Sequence, residues 1–326
     1  MPSRRRALLV LALLLLLAAA SLATALTAGS VPLAFGDVIQ AMLGQDNAAA
    51  AVVHGLRLPR ALAGFACGAL LALAGALMQV LLRNPLADPY ILGVSGGAGV
   101  GALSAMLLGL AGLGIAGFSF AGALAAMLLV FGLAHGDGSW TQTRLLLTGV
   151  VVAAGAGALV ALMLSVAPEH QLRGMLFWLM GDLSQAGEAS QTWGALATLA
   201  AALLVALPFA RELNLLARGA EQALALGVRV TLLRRVVYVV ASLATAVAVT
   251  TAGSIGFVGL IVPHLVRLGI GNDQRLLLPA AALAGGSLLV LADTLARTIV
   301  APVQLPVGVL TALIGVPMFL FLLGRK

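Results

Sequence analysis

From Ala61 to Leu82 the chain carries no charged residue, and at Arg83 the run gives way to two prolines, Pro85 and Pro89. A stretch of that length and composition crosses a bilayer as a helix. Each proline removes a backbone donor and pushes the residue before it, Asn84 or Asp88, away from helical geometry. A second apolar run restarts at Tyr90, studded with Gly93, Gly96, Gly97, Gly99 and Gly101, and no charge appears again before Gly136. In a membrane, irregular backbone next to such runs is tolerated only where protein buries it or water lines it. The break therefore belongs to a pathway rather than to a plain connector.

The same texture fills the chain: 62% of its 326 residues are hydrophobic and 9% charged, where soluble domains average about 25% charged. Too few charges exist to cover a water-exposed globule. The sequence specifies an all-α integral membrane protein, one transmembrane domain over residues 1–326. The net charge of +7 comes from arginines in short connecting segments, which is how orientation is set in a membrane, and not from a nucleic-acid surface. The single cysteine, Cys67, lies inside an apolar run and reads as a small buried hydrophobe.

About ten spans follow. The first runs from Ala7 to Ala23 behind Arg4, Arg5 and Arg6 and is longer than a signal-peptide core, so it is read as retained. The polar segment 31–54 leads into a second span at 61–82. A third starts near Tyr90, and the glycines at 109–117 mark the turn to a fourth. Later spans are placed at 145–166, 192–209, 236–252, 253–271, 276–296 and 307–323. Between them lie a polar loop at 135–144 and an external segment at 167–191, whose Trp178 is assigned to headgroup depth. The charge-rich segment 211–235 is assigned to the cytoplasm, as are both termini. Glycine pairs at four-residue spacing, Gly64-Gly68 and Gly97-Gly101, predict close helix packing within one subunit. Residues 73–89 align with 250–267 when Gly75 meets Gly253 and Pro85 meets Pro263, which suggests an inverted repeat.

The chain carries no phosphate-binding loop: its one lysine is Lys326, and that loop needs a lysine beside the phosphates. Nor do the spans hold charges at mid-depth, as an ion-driven carrier would. Active transport would therefore draw its energy from another subunit; a passive channel or ion-coupled carrier is the rival reading. Gly93-Val94-Ser95-Gly96 resembles the serine motif of intramembrane proteases, with His264 as the only later histidine to serve it within a span. The four histidines are scattered and the cysteine has no partner, so no metal site is expected.

The segments RLPR (57–60), NPLADP (84–89), LGVSGGAGVG (92–101) and AGSIGFVGLIVPHLVR (252–267) carry a family resemblance. So do the last helices. The chain resembles the FecCD-type permease subunits of ABC importers for haem, ferric siderophores or cobalamin, and the resemblance covers almost its whole length. It implies a type II importer permease fold in a bacterial inner membrane. A second copy of the chain, two ATP-binding cassette subunits that hold ATP and magnesium, and a periplasmic substrate-binding protein would complete the machine. No cofactor is expected in this chain, and its cargo would be an iron compound, haem first, or cobalamin. By the same resemblance Arg57, Arg60 and Arg297 would dock the binding protein; for these, lipid contact or a pair with Asp293 is the simpler reading. Asn84, Leu86, Gln142 and Thr143 would form the cytoplasmic gate. Residues 211–230 would couple to the ATPase through Leu213, Leu215, Leu216, Arg218, Glu221, Leu224 and Leu226. Gln304 stands where the family usually carries glutamate.

Overall fold

A computed structural model describes residues 4–29, 31–45, 48–134, 141–184 and 189–324. The chain ends and most of the predicted 135–144 loop lie outside the described residues. Seven helices are long and apolar enough to cross a membrane, and three shorter apolar ones bring the count to the ten expected. Among the described residues there is no strand.

The helix from Ala50 to Leu81 is the axis of the bundle. Almost every side chain between Ala61 and Leu82 is buried. Five neighbours enclose it: α1 (Arg4–Thr27), α8 (Ala189–Ala206), α11 (Val230–Ala252), α12 (Val258–Ile270) and α13 (Gln274–Thr298). With this axial helix as α3, the others in chain order are α2 (Phe35–Met42), α4 (Val94–Leu107), α5 (Leu113–Ala134), α6 (Gln142–Val166), α7 (Glu169–Leu179), α9 (Ala210–Arg218), α10 (Ala220–Ala225) and α14 (Val307–Gly324). Lipid cannot supply a hydrophobic drive between helices, so the fit depends on close backbone approach. A Cβ on Gly75 would stand 1.8 Å from the Gly259 carbonyl oxygen, and one on Gly68 2.2 Å from that of Gly285. Gly97 and Gly101 meet Gly122 and Phe118 of α5 in the same way. The small-residue spacing thus serves contacts within the subunit.

Several boundaries differ from the sequence reading. The second span begins at Ala50 rather than Ala61, because a π-helical turn at Val53–Arg57 continues the helix outward. The segment before it contains an amphipathic helix, α2, where only a polar connection was expected. The eighth span is helical only from Val258, after a non-helical stretch. The proposed alignment of 73–89 with 250–267 does not hold. Gly75 is mid-helix whereas Gly253 ends α11, and Pro85 lies in a turn whereas Pro263 lies inside α12. What does recur is a short helix entered through a left-handed residue: Gly93 (φ 70°) before α4 and Phe257 (φ 70°) before α12. Trp178 is half-buried and packs against the core of the bundle.

Replacing Gly75 by Ala should destabilise the protein by about 3 kcal/mol, the upper range for overpacking, because backbone and not a flexible side chain stands in the way. Gly132, which faces open space, should accept Ala without loss. Thermal unfolding in detergent compares the two; equal melting temperatures would refute the axial packing.

Candidate functional site

Three arginines gather at the N-terminal end of α3. Arg57 is turned inward and buried, 5% exposed. Its guanidinium donates to the carbonyl oxygens of Leu26 (2.7 Å), Thr27 (2.8 Å) and Val31. These include the carbonyls that a helix C-terminus leaves without partners, so Arg57 closes the end of α1. Arg60 grips Asp293 of α13 through Nε and Nη2, the shortest bond 2.8 Å. Arg297, one turn further along α13, pairs with the same carboxylate at 3.2 Å. Arg60 Nη1 donates to Gln304 Oε1 at 2.9 Å, which gives the departure at Gln304 its physical meaning: a neutral acceptor stands where a second carboxylate would be. The three arginines named from the sequence lie near one another. The sequence reading also leaves open the pair with Asp293, which the structure contains. Arg60 and Arg297 share one carboxylate here, Arg57 is held by backbone carbonyls, and Arg60 is the least buried of the three.

At mid-bundle the two helix breaks meet. The Tyr90 hydroxyl donates to the Ile255 carbonyl and accepts from the Ile255 N–H, both at 2.9 Å. Ser95 Oγ lies 2.9 Å from Ser254 Oγ. The partner of Ser95 is therefore another serine and not His264, and the protease reading loses its nucleophile–base pair. Asp88 caps the turn before α4 by accepting from the Tyr90 N–H at 2.8 Å. Neither Tyr90 nor Ser254 was singled out from the sequence; a phenol beside a proline-broken apolar run is the signal that could have marked the first.

The predicted gate residues stand together at the other end of α3. Gln142 Nε2 donates to the Leu81 carbonyl at 2.9 Å, and Asn84 Oδ1 accepts from the Leu86 N–H at 2.9 Å. Asn84, Leu86 and Thr143 are exposed. The charge-rich segment forms α9 and α10, broken at Gly219 (φ 151°) and Gly227 (φ 83°). Its leucines do not share one open face. Leu213 and Leu216 are wholly buried against the bundle and Leu215 is half-buried, while Leu224 and Leu226 project outward with Arg218 and Glu221. Helix α9 is anchored by Asn214, which accepts from the Gln274 N–H at 2.8 Å and donates to Asp273 at 2.9 Å. Among the described residues no group of three or more His, Cys, Asp or Glu could hold a metal ion.

Asp293→Asn leaves Arg60 and Arg297 buried without a carboxylate and should cost about 3–5 kcal/mol. Adding Gln304→Glu should recover part of that, because residue 304 already touches Arg60. Unfolding of the single and double variants in detergent measures the recovery; its absence would mean that residue 304 does not share the charge of Arg60.

The chain matches the FecCD transport family over residues 13–325. It is 42% identical over 284 residues to the cobalamin import system permease protein BtuC of Halobacterium salinarum, covering 87% of this chain and 76% of that one. It is 41% identical over 280 residues to the hemin transport system permease protein HmuU of Yersinia pestis, covering 83% and 82%. A solved structure described as an inward-facing conformation of a metal-chelate type ABC transporter matches with a TM-score of 0.86 at 31% identity, over 98% of this chain and all of that one. A second, PsaBC from Streptococcus pneumoniae in complex with Fab, shares the fold at a TM-score of 0.54 and 19% identity, over 81% and 90%. Matches of this length leave no part of the bundle outside the resemblance: the chain belongs to the FecCD transport family.

Proposed function

We propose that this chain is the membrane-spanning permease subunit of an ATP-driven importer that moves a metal chelate inward across a bacterial inner membrane. The observation that carries the reading is the match of nearly the whole chain to a metal-chelate type ABC transporter. The absence of a phosphate-binding lysine supports it, since a chain without one needs a partner to turn over ATP. The cargo is a large metal complex, haem or another iron chelate first. The cobalamin relative and the hemin relative are equally similar to this chain. Both names point to a metal held in a tetrapyrrole-type macrocycle, which supports haem as the first of these chelates to test.

Two copies of the chain would enclose the passage. Asn84, Leu86, Gln142 and Thr143 would narrow it at the cytoplasmic end, where Arg83, Arg218, Arg267 and Arg275 gather. The outward Leu224 and Leu226, flanked by Arg218 and Glu221, are the side chains free to enter a groove on the ATPase. At the opposite end, about 36 Å away along α3 at 1.5 Å per residue, Arg60 backed by Arg57 and Arg297 would receive an acidic residue of the binding protein. Arg57 contributes there by fixing the end of α1.

The permease and its cognate ATPase reconstituted together should import chelate with ATP, and the permease alone should not. Leu224→Ser with Leu226→Ser should cut transport at least about tenfold while the permease stays folded, the loss expected when buried apolar contacts of an interface are removed. Unchanged transport would move the coupling contact elsewhere. Arg60→Glu should slow association of the binding protein most strongly at low salt, where exposed charges are least screened. Rates insensitive to the reversal would leave Arg60 a structural residue. The absorption spectrum of the binding protein purified with its ligand distinguishes haem from cobalamin.

A further inference from the structure

A cavity of about 1120 Å³ opens at the end of the bundle where α1 begins, between the first turn of α1, the end of α3, α9 and the junction of α12 with α13. Arg83, Arg218, Arg267 and Arg275 line it, with Asp273 as the one acidic residue. That carboxylate is already engaged. Arg275 holds it at 2.6 Å, and hydrogen bonds from Arg275 pull its pKa down to about 2. Among the described residues no carboxylate pairs with Arg83, Arg218 or Arg267. Arg267 is half-buried and is held by Gln79, whose Oε1 accepts from it at 2.8 Å while its amide donates to the Leu260 carbonyl at 3.1 Å. The cavity wall also contains Gln274, 2% exposed, whose Oε1 has no hydrogen-bond partner.

A half-buried guanidinium without a counter-ion is costly, and so is a buried amide oxygen without a donor. An occupant that supplies both an anion and a hydroxyl donor would relieve the two together. We propose that this cavity binds the headgroup of an anionic phospholipid of the phosphatidylglycerol type. Its phosphodiester sits among Arg83, Arg218 and Arg267, and a headgroup hydroxyl donates to Gln274. A guanidinium fork matches phosphate oxygens in geometry as well as in charge. Basic pockets between helices at a cytoplasmic surface suit such headgroups. The cavity's position selects a lipid over a soluble phosphate compound. Ala7 of α1 forms part of its wall. Beyond it α1 presents Leu8, Leu9, Leu13 and Leu16, each more than half exposed, as a track for acyl chains leaving the cavity toward the bilayer. Because α9 forms the opposite wall, an occupied site would brace the helix that leads to Leu224. The binding claim itself does not depend on the transport reading.

Native mass spectrometry of the full-length permease, titrated with phosphatidylglycerol and with phosphatidylcholine, tests the site. Wild type should retain phosphatidylglycerol selectively. Arg218→Gln with Arg267→Gln should lose about tenfold or more of that apparent affinity, as expected for removing two phosphate contacts. Arg229→Gln, outside the cavity, should leave it unchanged. If the double variant does not fold, Arg218→Glu at its exposed position must show the loss by itself. Equal retention of the two lipids, or retention indifferent to these arginines, overturns the proposal. So does displacement of phosphatidylglycerol by excess inorganic phosphate, which would identify a soluble anion as the ligand. Stoichiometric expulsion of the lipid when the cognate ATPase is added would assign the cavity to a carboxylate of that partner instead, and would equally overturn it.

Discussion

The hydroxyl of Tyr90 holds two broken helices together. In the interior of a membrane bundle an unpaired peptide group costs several kcal/mol, so a helix can stop there only if something replaces its hydrogen bonds. Here the chain stops twice, at NPLADP and at GSIGF, and the two stops face each other. One phenol serves both the N–H and the carbonyl of Ile255, and the Ser95–Ser254 pair lies beside it. The left-handed entries at Gly93 and Phe257 then launch α4 and α12. Phe257 has no glycine's freedom, and a left-handed residue of that kind costs roughly 1–2 kcal/mol. Its persistence fits a backbone over-determined by the contacts on either side of it.

The remainder of the bundle is arranged so that these breaks can exist. Helix α3 runs unbroken as far as Leu81 and lets α12 and α13 approach at Gly75 and Gly68 to backbone distance. Gln79, buried on α3, hydrogen-bonds to the Leu260 carbonyl of α12 and so links the axial helix to the short one. Tyr238 on α11 does likewise for α5, donating to the Met127 carbonyl at 2.7 Å. Few polar side chains are present, and several of them are spent on backbone carbonyls rather than on one another.

What could be read from the sequence were features that depend on neighbours in sequence. Apolar length gave the spans, and the prolines at 85 and 89 gave the break. What could not be read depends on which elements come together in space. Nothing near Arg57 says that it will turn back to the carbonyls at the end of α1, thirty residues earlier. The leucines of 211–230 look equivalent until the bundle buries Leu213 and Leu216 and leaves Leu224 and Leu226 outside. Nothing near Trp178 in sequence says that one side of it will pack against the core of the bundle. Gln304 stood out only by its departure from a family habit, and its meaning required seeing Arg60 within hydrogen-bond distance.

The two ends of the molecule handle positive charge in opposite ways, and the difference follows from how each guanidinium is held. At the Arg57 end, backbone carbonyls, Asp293 and Gln304 absorb most of the donor capacity, so the cluster is rigid and only Arg60 approaches the surface. A field of this kind steers an acidic partner without requiring the side chains to reorganise when it arrives. At the Arg83 end the arginines outnumber their carboxylates, and they surround a cavity rather than a closed network. Coulomb attraction there is unspent, and whatever anion enters gains it in a site partly removed from water, where a charge–charge contact is worth several times its value in bulk solvent. The first arrangement suits brief recognition and the second suits retention.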